Sequence, residues 1–197
     1  MRVPLKYCGH AFQPGHRVRL SVSTSYWPLA WAPPKPVRLT VWPAESSLTL
    51  PVRRPLAGED ERVHVYAEPE SARTPAREII EPDHDNWWIV HDLATEESTL
   101  EVVADEGTWR IPRIDLTMSQ HTWEWYRSTG DDFTSPNGEV KSVREMWRGD
   151  WHVRIENRTF LTCDEKNFYV NASLDAWEGE NRVYSRIFNE TIPRHFL

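Results

Sequence analysis

Candidate nucleophiles, bases and metal ligands are plentiful in this sequence, yet few sit at spacings that chemistry can use. A serine hydrolase of the α/β type presents its nucleophile on a strained Gly-x-Ser-x-Gly turn beside a histidine, and no such pentapeptide occurs here. Of the eight histidines, His16 and His121 lie near hydroxyl side chains, but inside alternating stretches that turn them toward solvent or a sheet edge. The acidic pairs Asp83 and Asp85, Asp131 and Asp132, and Glu96 and Glu97 have the chemistry of an acid–base couple or of ligands to a hard cation. All fall where the sequence predicts loops or turns. Asp83-His84-Asp85, beside Trp87 and Trp88, is the most site-like, so Asp83 and Asp85 are the metal candidates, although the oxygen spacing of a calcium loop is missing. Cys8 and Cys163 fit neither a disulfide framework nor zinc spacing and read as plain thiols. The expectation is therefore no catalytic residue, no cofactor, and a solvated turn at 83–85.

Aromatic side chains carry the remaining chemistry. Eleven Trp, six Tyr and six Phe bring the aromatic share to 12 %, and such residues favour half-buried pleated surfaces. Trp123 and Trp125 are two apart and project from one face of a strand, while Tyr26, Trp27 and Trp31 share a proline-broken loop. A row of exposed rings is a platform on which a sugar can stack. The same rings packed inward fill a core or a contact between domains, and both readings stand at this level.

The elements that must position these rings follow from length and pattern. A chain of 197 residues makes one large domain or two small ones, able to bury roughly 70 % of its unfolded surface. A net charge of −7 and a pI near 5.6 speak against nucleic acid and anionic membranes, which recruit a Lys/Arg excess. Tyr7 and His10 stand where a secretory apolar region would be, and no apolar run approaches the ~20 residues of a membrane span, so a reducing cytoplasm is expected. The sequons at Asn157, Asn171 and Asn189 then read as chance matches.

Period-two alternation recurs along the chain. Val18, Leu20 and Val22 share a face in residues 17–25, as do Val37, Leu39 and Val41, then Leu48, Leu50 and Val52. Further strands are predicted at 62–66, 87–93, 99–103, 109–111, 120–126, 140–146, 151–162, 168–177 and 182–188, between turn signals such as Glu106-Gly107 and Pro136-Asn137-Gly138. Twelve short strands imply a β-sandwich. One short helical turn is expected at 74–80, after Pro75. The clearest pair is a hairpin in which Phe168, Val170, Ala172, Leu174 and Ala176 face one way, with Glu178-Gly179-Glu180-Asn181 turning into 182–188. Proline and charge near 69–82 make a weaker divide, and residues 1–197 are read as one unit.

The stretch Phe12-Gln13-Pro14-Gly15-His16-Arg17-Val18-Arg19-Leu20, leading into Ser21-Val22-Ser23-Thr24-Ser25-Tyr26-Trp27-Pro28 and Trp31-Ala32-Pro33-Pro34, resembles the C-terminal jelly-roll domain of the cocaine-esterase and X-Pro dipeptidyl-peptidase (CocE/NonD) family of serine hydrolases. Leu48-Thr49-Leu50-Pro51-Val52-Arg53, Trp147-Arg148-Gly149-Asp150-Trp151, Leu161-Thr162-Cys163-Asp164 and the segments from Ser185 to Arg194 extend the likeness. The resemblance implies an all-β, galactose-binding-like sandwich without catalytic residues. Catalysis would belong to a preceding α/β-hydrolase domain, the implied partner. Gly15, His16, Arg17, Arg19, Tyr26, Trp27 and Trp31 become the residues expected to pack against it, with Arg17 and Arg19 leaving the core face together to pair with carboxylates. Because the family's sandwich begins upstream of this motif, the chain is expected to be the later part of a longer hydrolase and to leave a sheet edge that a second copy could cover. The alternative is an independent sugar-binding module using Trp123 and Trp125.

Overall fold

From Glu78 onward, β-branched and aromatic residues run in long alternating stretches broken only by short turns, and each stretch becomes a strand. In a computed structural model of the chain, which describes residues 2–6, 9–54, 57–58 and 66–195, these are β1 (Glu78–Glu81), β2 (His84–Asp92), β3 (Glu97–Ile111), β4 (Leu116–Thr129), β5 (Asn137–Arg148), β6 (Trp151–Cys163), β7 (Asn167–Glu178) and β8 (Asn181–Pro193). They form one open antiparallel sheet in the order β1-β3-β4-β5-β6-β7-β8. Strand β2 pairs residues Glu97 to Asp105 of β3, and β1 pairs Thr108 to Arg110 farther along it. The chain is thus all-β, as the alternation predicts, with short 3-10 turns at Pro43–Glu45 and Pro112–Ile114.

Two-residue connections at Gly149-Asp150 and Gly179-Glu180 close the β5–β6 and β7–β8 hairpins, each with its glycine at positive φ, the backbone twist that tight hairpins require. Register then fixes the two faces of the sheet. One carries cross-strand rows such as Met118–Met146–Val153 and Tyr126–Gly138–Leu161–Val170 and is apolar. The other carries Trp123–Lys141–Arg158–Ser173–Ile187 and Trp125–Glu139–Phe160–Asn171–Asn189 and is polar and aromatic. The expected hairpin of β7 and β8 is present, with Phe168, Val170, Ala172, Leu174 and Ala176 on the apolar side.

Several expectations need correction. Residues 74–80 make no helical turn: Ile79 and Ile80 enter β1, because pairing of Glu78 and Ile79 with Arg110 and Trp109 on β3 competes successfully with one marginal turn. The segments 99–103 and 109–111 are one strand, bent by a bulge between Asp105 and Thr108. Among the described residues, the runs around Val18, Val37 and Leu48 belong to no strand, and their apolar side chains are exposed. Alternation says that a strand has two unlike faces, not which strand lies beside it. The predicted strand 62–66 lies outside the described residues except for Tyr66. Asp83 precedes β2 and Asp85 is inside it, in an extended ladder rather than a turn.

The accessible surface is 16849 Å2, against about 9,700 Å2 for a typical folded monomer of this mass. Among the described residues Ala32 and Pro136 are the buried apolar side chains. The sheet is a single layer, the half from which a sandwich is built, and most of both its faces lacks a covering layer.

At the β3 bulge, Gly107 has φ +68, and a Cβ there would lie 2.3 Å from the Glu81 carbonyl oxygen and 2.7 Å from the Pro82 backbone. Gly149 has φ +54 but open space around it. Gly107→Ala should therefore cost about 2 kcal/mol or more, and Gly149→Ala only about 1 kcal/mol. Urea unfolding of the two variants checks this, and equal costs would mean that β1 does not press against the bulge.

Candidate functional site

Two places gather functional side chains, one on each face of the sheet. On the apolar face the 26–34 loop lies against the ends of β4, β6 and β7. Tyr26 and Ala30 close a tight turn through Ala30 N–H to the Tyr26 carbonyl, 2.8 Å, around a cis Trp27–Pro28 bond. Trp27 and Trp31 meet edge to face at 4.7 Å. Trp27 then reaches Tyr126 of β4 at 6.0 Å, and Trp31 reaches Phe168 of β7 at 5.2 Å, both at near-perpendicular inclinations that set ring edge against ring face. The Trp31 indole N–H donates to the Cys163 sulfur at 3.2 Å, while the thiol lies 3.7 and 3.8 Å from the Thr134 and Pro136 carbonyls.

Arg194 pins the same loop from the other end of the chain. It is 8 % exposed and donates to the Ala32 carbonyl at 2.5 Å and to the Asp164 carbonyl at 2.7 Å, with its guanidinium 4.8 Å from the Phe168 ring centroid. A guanidinium can satisfy two carbonyls and a ring face at once because it is planar with donors on three sides. The turn beneath it is held by Asp164, which accepts from the Tyr169 hydroxyl and the Lys166 and Asn167 amides at 2.6 to 2.7 Å. Those hydrogen bonds, the tyrosine's first, hold its carboxyl below the usual carboxylate range. Tyr126, next to Trp27, is pushed up to about 12, first by loss of solvent and then by its hydrogen bond to Glu124.

On the polar face Glu139 is only 13 % exposed and is held by Arg158, whose Nε and Nη2 lie 2.8 and 2.6 Å away, and by Arg127 at 3.3 Å. Trp123 and Trp125 are on this face, as their spacing predicts, with Lys141 and Arg127 above them at 5.6 and 5.9 Å. His121 is not at an edge: it stands in β4 between β3 and β5, 2.8 Å from Asp105, and stacks on Trp123 at 6.0 Å.

The other expected site residues divide plainly. Trp27 and Trp31 pack as contact residues, but against this chain's own sheet, and Tyr26 is 67 % exposed. Gly15 takes φ +84 in a turn closed by His16 N–H to the Gln13 carbonyl. His16, Arg17 and Arg19 are exposed, and neither arginine meets a carboxylate among the described residues, which leaves a contact with another domain as the pairing expected of them. No metal-binding cluster forms among the described residues: Asp83 stands just outside β2, and Asp85 lies on the opposite face from His84. Sequence reading missed Arg194, Phe168 and the Arg127–Glu139–Arg158 group. The first two lie more than a hundred residues from the loop they hold, and the third is assembled from three strands.

Comparison with known proteins bears on the first of the two faces. Residues 1–74 match the family described as the X-Pro dipeptidyl-peptidase C-terminal non-catalytic domain, which agrees with the likeness carried by the Gly15-His16-Arg17 stretch. No curated protein and no solved structure matches the chain. The matched segment includes the 26–34 loop and ends before β1 begins at Glu78, so the contacts of Trp27, Trp31 and Ala32 join the family-like part to a sheet that lies outside the match.

If the loop is docked through its rings, Trp31→Ala should cost about 2 kcal/mol, below the full value of a buried Trp because the ring is half-buried. In a double-mutant cycle with Phe168→Ala, the coupling should be about 1 kcal/mol. Denaturant unfolding of the four proteins measures it, and zero coupling would separate the loop from the sheet.

Proposed function

We propose that this chain, as one unit of residues 1–197, is the non-catalytic C-terminal part of a CocE/NonD-type acyl or peptidyl hydrolase. In this reading it stabilises an α/β-hydrolase domain and helps enclose that domain's substrate site. The observation that carries the reading is the condition of the family-like segment itself. Val18, Leu20 and Val22 are 50 to 55 % exposed, and Val37, Leu39, Val41, Leu48 and Leu50 are 39 to 52 % exposed, in segments that join no ladder among the described residues. Amphipathic runs of this pattern gain backbone pairing and cover for their apolar side when another polypeptide lies against them.

A catalytic domain would supply that cover, together with carboxylates for the exposed Arg17 and Arg19. The Gly15-His16-Arg17 turn stands at the head of the first run and would make first contact. In isolation, a second copy of the chain offers the same edges and would form a dimer through the run of Val18, Leu20 and Val22. A reducing cytoplasm suits the use of Cys163 as a thiol within the loop contact. No helix of the described residues is long and apolar enough to cross a membrane.

Hydrolysis is the decisive assay. The sequence holds no Gly-x-Ser-x-Gly turn, and the described residues assemble no nucleophile with a base and oxyanion donors around it. Chromogenic acyl esters and X-Pro anilides should therefore show no turnover above buffer. Turnover that survives repurification and disappears on treatment with a serine-directed phosphonate would overturn the non-catalytic reading.

A further inference from the structure

The polar face of the sheet is not explained by packing. Its centre is a cleft of about 540 Å3 lined by Arg127, Glu139, Arg158, Phe160, Asn171 and Ser173 among others. We infer that this cleft binds a neutral oligosaccharide lying across strands β4 to β8, stacked on Phe160 of its lining and hydrogen-bonded by the polar side chains around that ring.

Register places Trp125, Glu139, Phe160, Asn171 and Asn189 directly opposite one another on five consecutive strands. Neighbouring strands are ~4.8 Å apart, so the two ring-bearing positions are ~10 Å apart and the whole row spans ~19 Å. That alternation of ring and polar group suits a chain of pyranose units, which presents apolar C–H faces for stacking and a fringe of hydroxyls for hydrogen bonding.

The polar groups match a ligand that both donates and accepts. Glu139 is fixed by two guanidiniums, so its position is set before anything binds. Asn171, Asn189 and Ser173 make no side-chain hydrogen bond among the described residues. Each amide offers a carbonyl oxygen and two N–H donors, which a sugar hydroxyl can meet in either role. Charge argues for a neutral ligand. Arg127 and Arg158 both pair with Glu139, and the chain as a whole carries −7. A polyanion would gain nothing here and would be repelled at longer range.

Tryptophan fluorescence and calorimetry on the whole chain test this, with cello-, xylo-, manno- and malto-hexaose as probes and oligogalacturonate as the charged control. At least one neutral probe should give a saturable fluorescence change at millimolar concentration or below. Phe160→Ala should weaken it about tenfold or more. Because that substitution could disturb the sheet, Asn171→Ala and Asn189→Ala, both at exposed positions, serve as second variants and should weaken binding while leaving the unfolding midpoint in place. The inference is overturned if no neutral probe gives a saturable response, if oligogalacturonate binds best, or if the two exposed variants bind like the parent. None of these outcomes bears on the hydrolase reading, which stands or falls on turnover.

Discussion

Backbone pairing between long neighbouring strands is the constraint on which the rest of this chain depends. Strands β3 to β8 run 12 to 15 residues each and exchange hydrogen bonds along almost their whole lengths, so the sheet keeps its form with little buried apolar surface. Where the ladder stops, so does regular structure. Among the described residues, the segment before Glu78 has the composition of strands and joins none of the sheet's ladders, and it is attached through the pair of indoles laid on the apolar face and the arginine that closes over them.

That attachment gives the two faces different tasks. The apolar face receives family-like sequence, and its uncovered remainder continues outward from the loop contact. At its β2 end Trp87 and Ile89 are 72 and 75 % exposed, beyond the reach of the 26–34 loop. The polar face is organised differently: Glu139 pairs with Arg127 and Arg158, Asp105 and Glu145 meet His121 and His152, and its rings lie beneath cations rather than against a second layer. A surface already satisfied in this way is suited to a small ligand more than to a protein partner, whose docking would have to strip solvent from every one of those charges.

Legibility in the sequence followed the range of the interactions. The β7–β8 hairpin and the common face of Trp123 and Trp125 rest on period two and on a turn residue, which are local, and both were readable. The merging of 99–103 with 109–111 was not, because a bulge is defined by the partner strand as much as by its own glycine. Residues 17–25, 37–41 and 48–52 carry the pattern of strands and lack a neighbour, so the pattern identified a capacity rather than an element. The docking of the 26–34 loop depends on Phe168 and Arg194, whose types are ordinary and whose roles arise only from a fold that brings distant residues together. The family likeness reached further than periodicity did, since it pointed to that loop as a packing element without saying what it packs on.

The central claim is that residues before the sheet are strands awaiting a partner outside this chain. Amide hydrogen exchange on the isolated, monomeric chain tests it most directly. The account predicts exchange within seconds across residues 16–25, 37–42 and 47–53, alongside protection of β4 to β7 approaching the global stability of the sheet. Protection of residues 17–25 comparable to that of β5 and β6 in the monomer would contradict it, because the chain would then have completed its own sandwich.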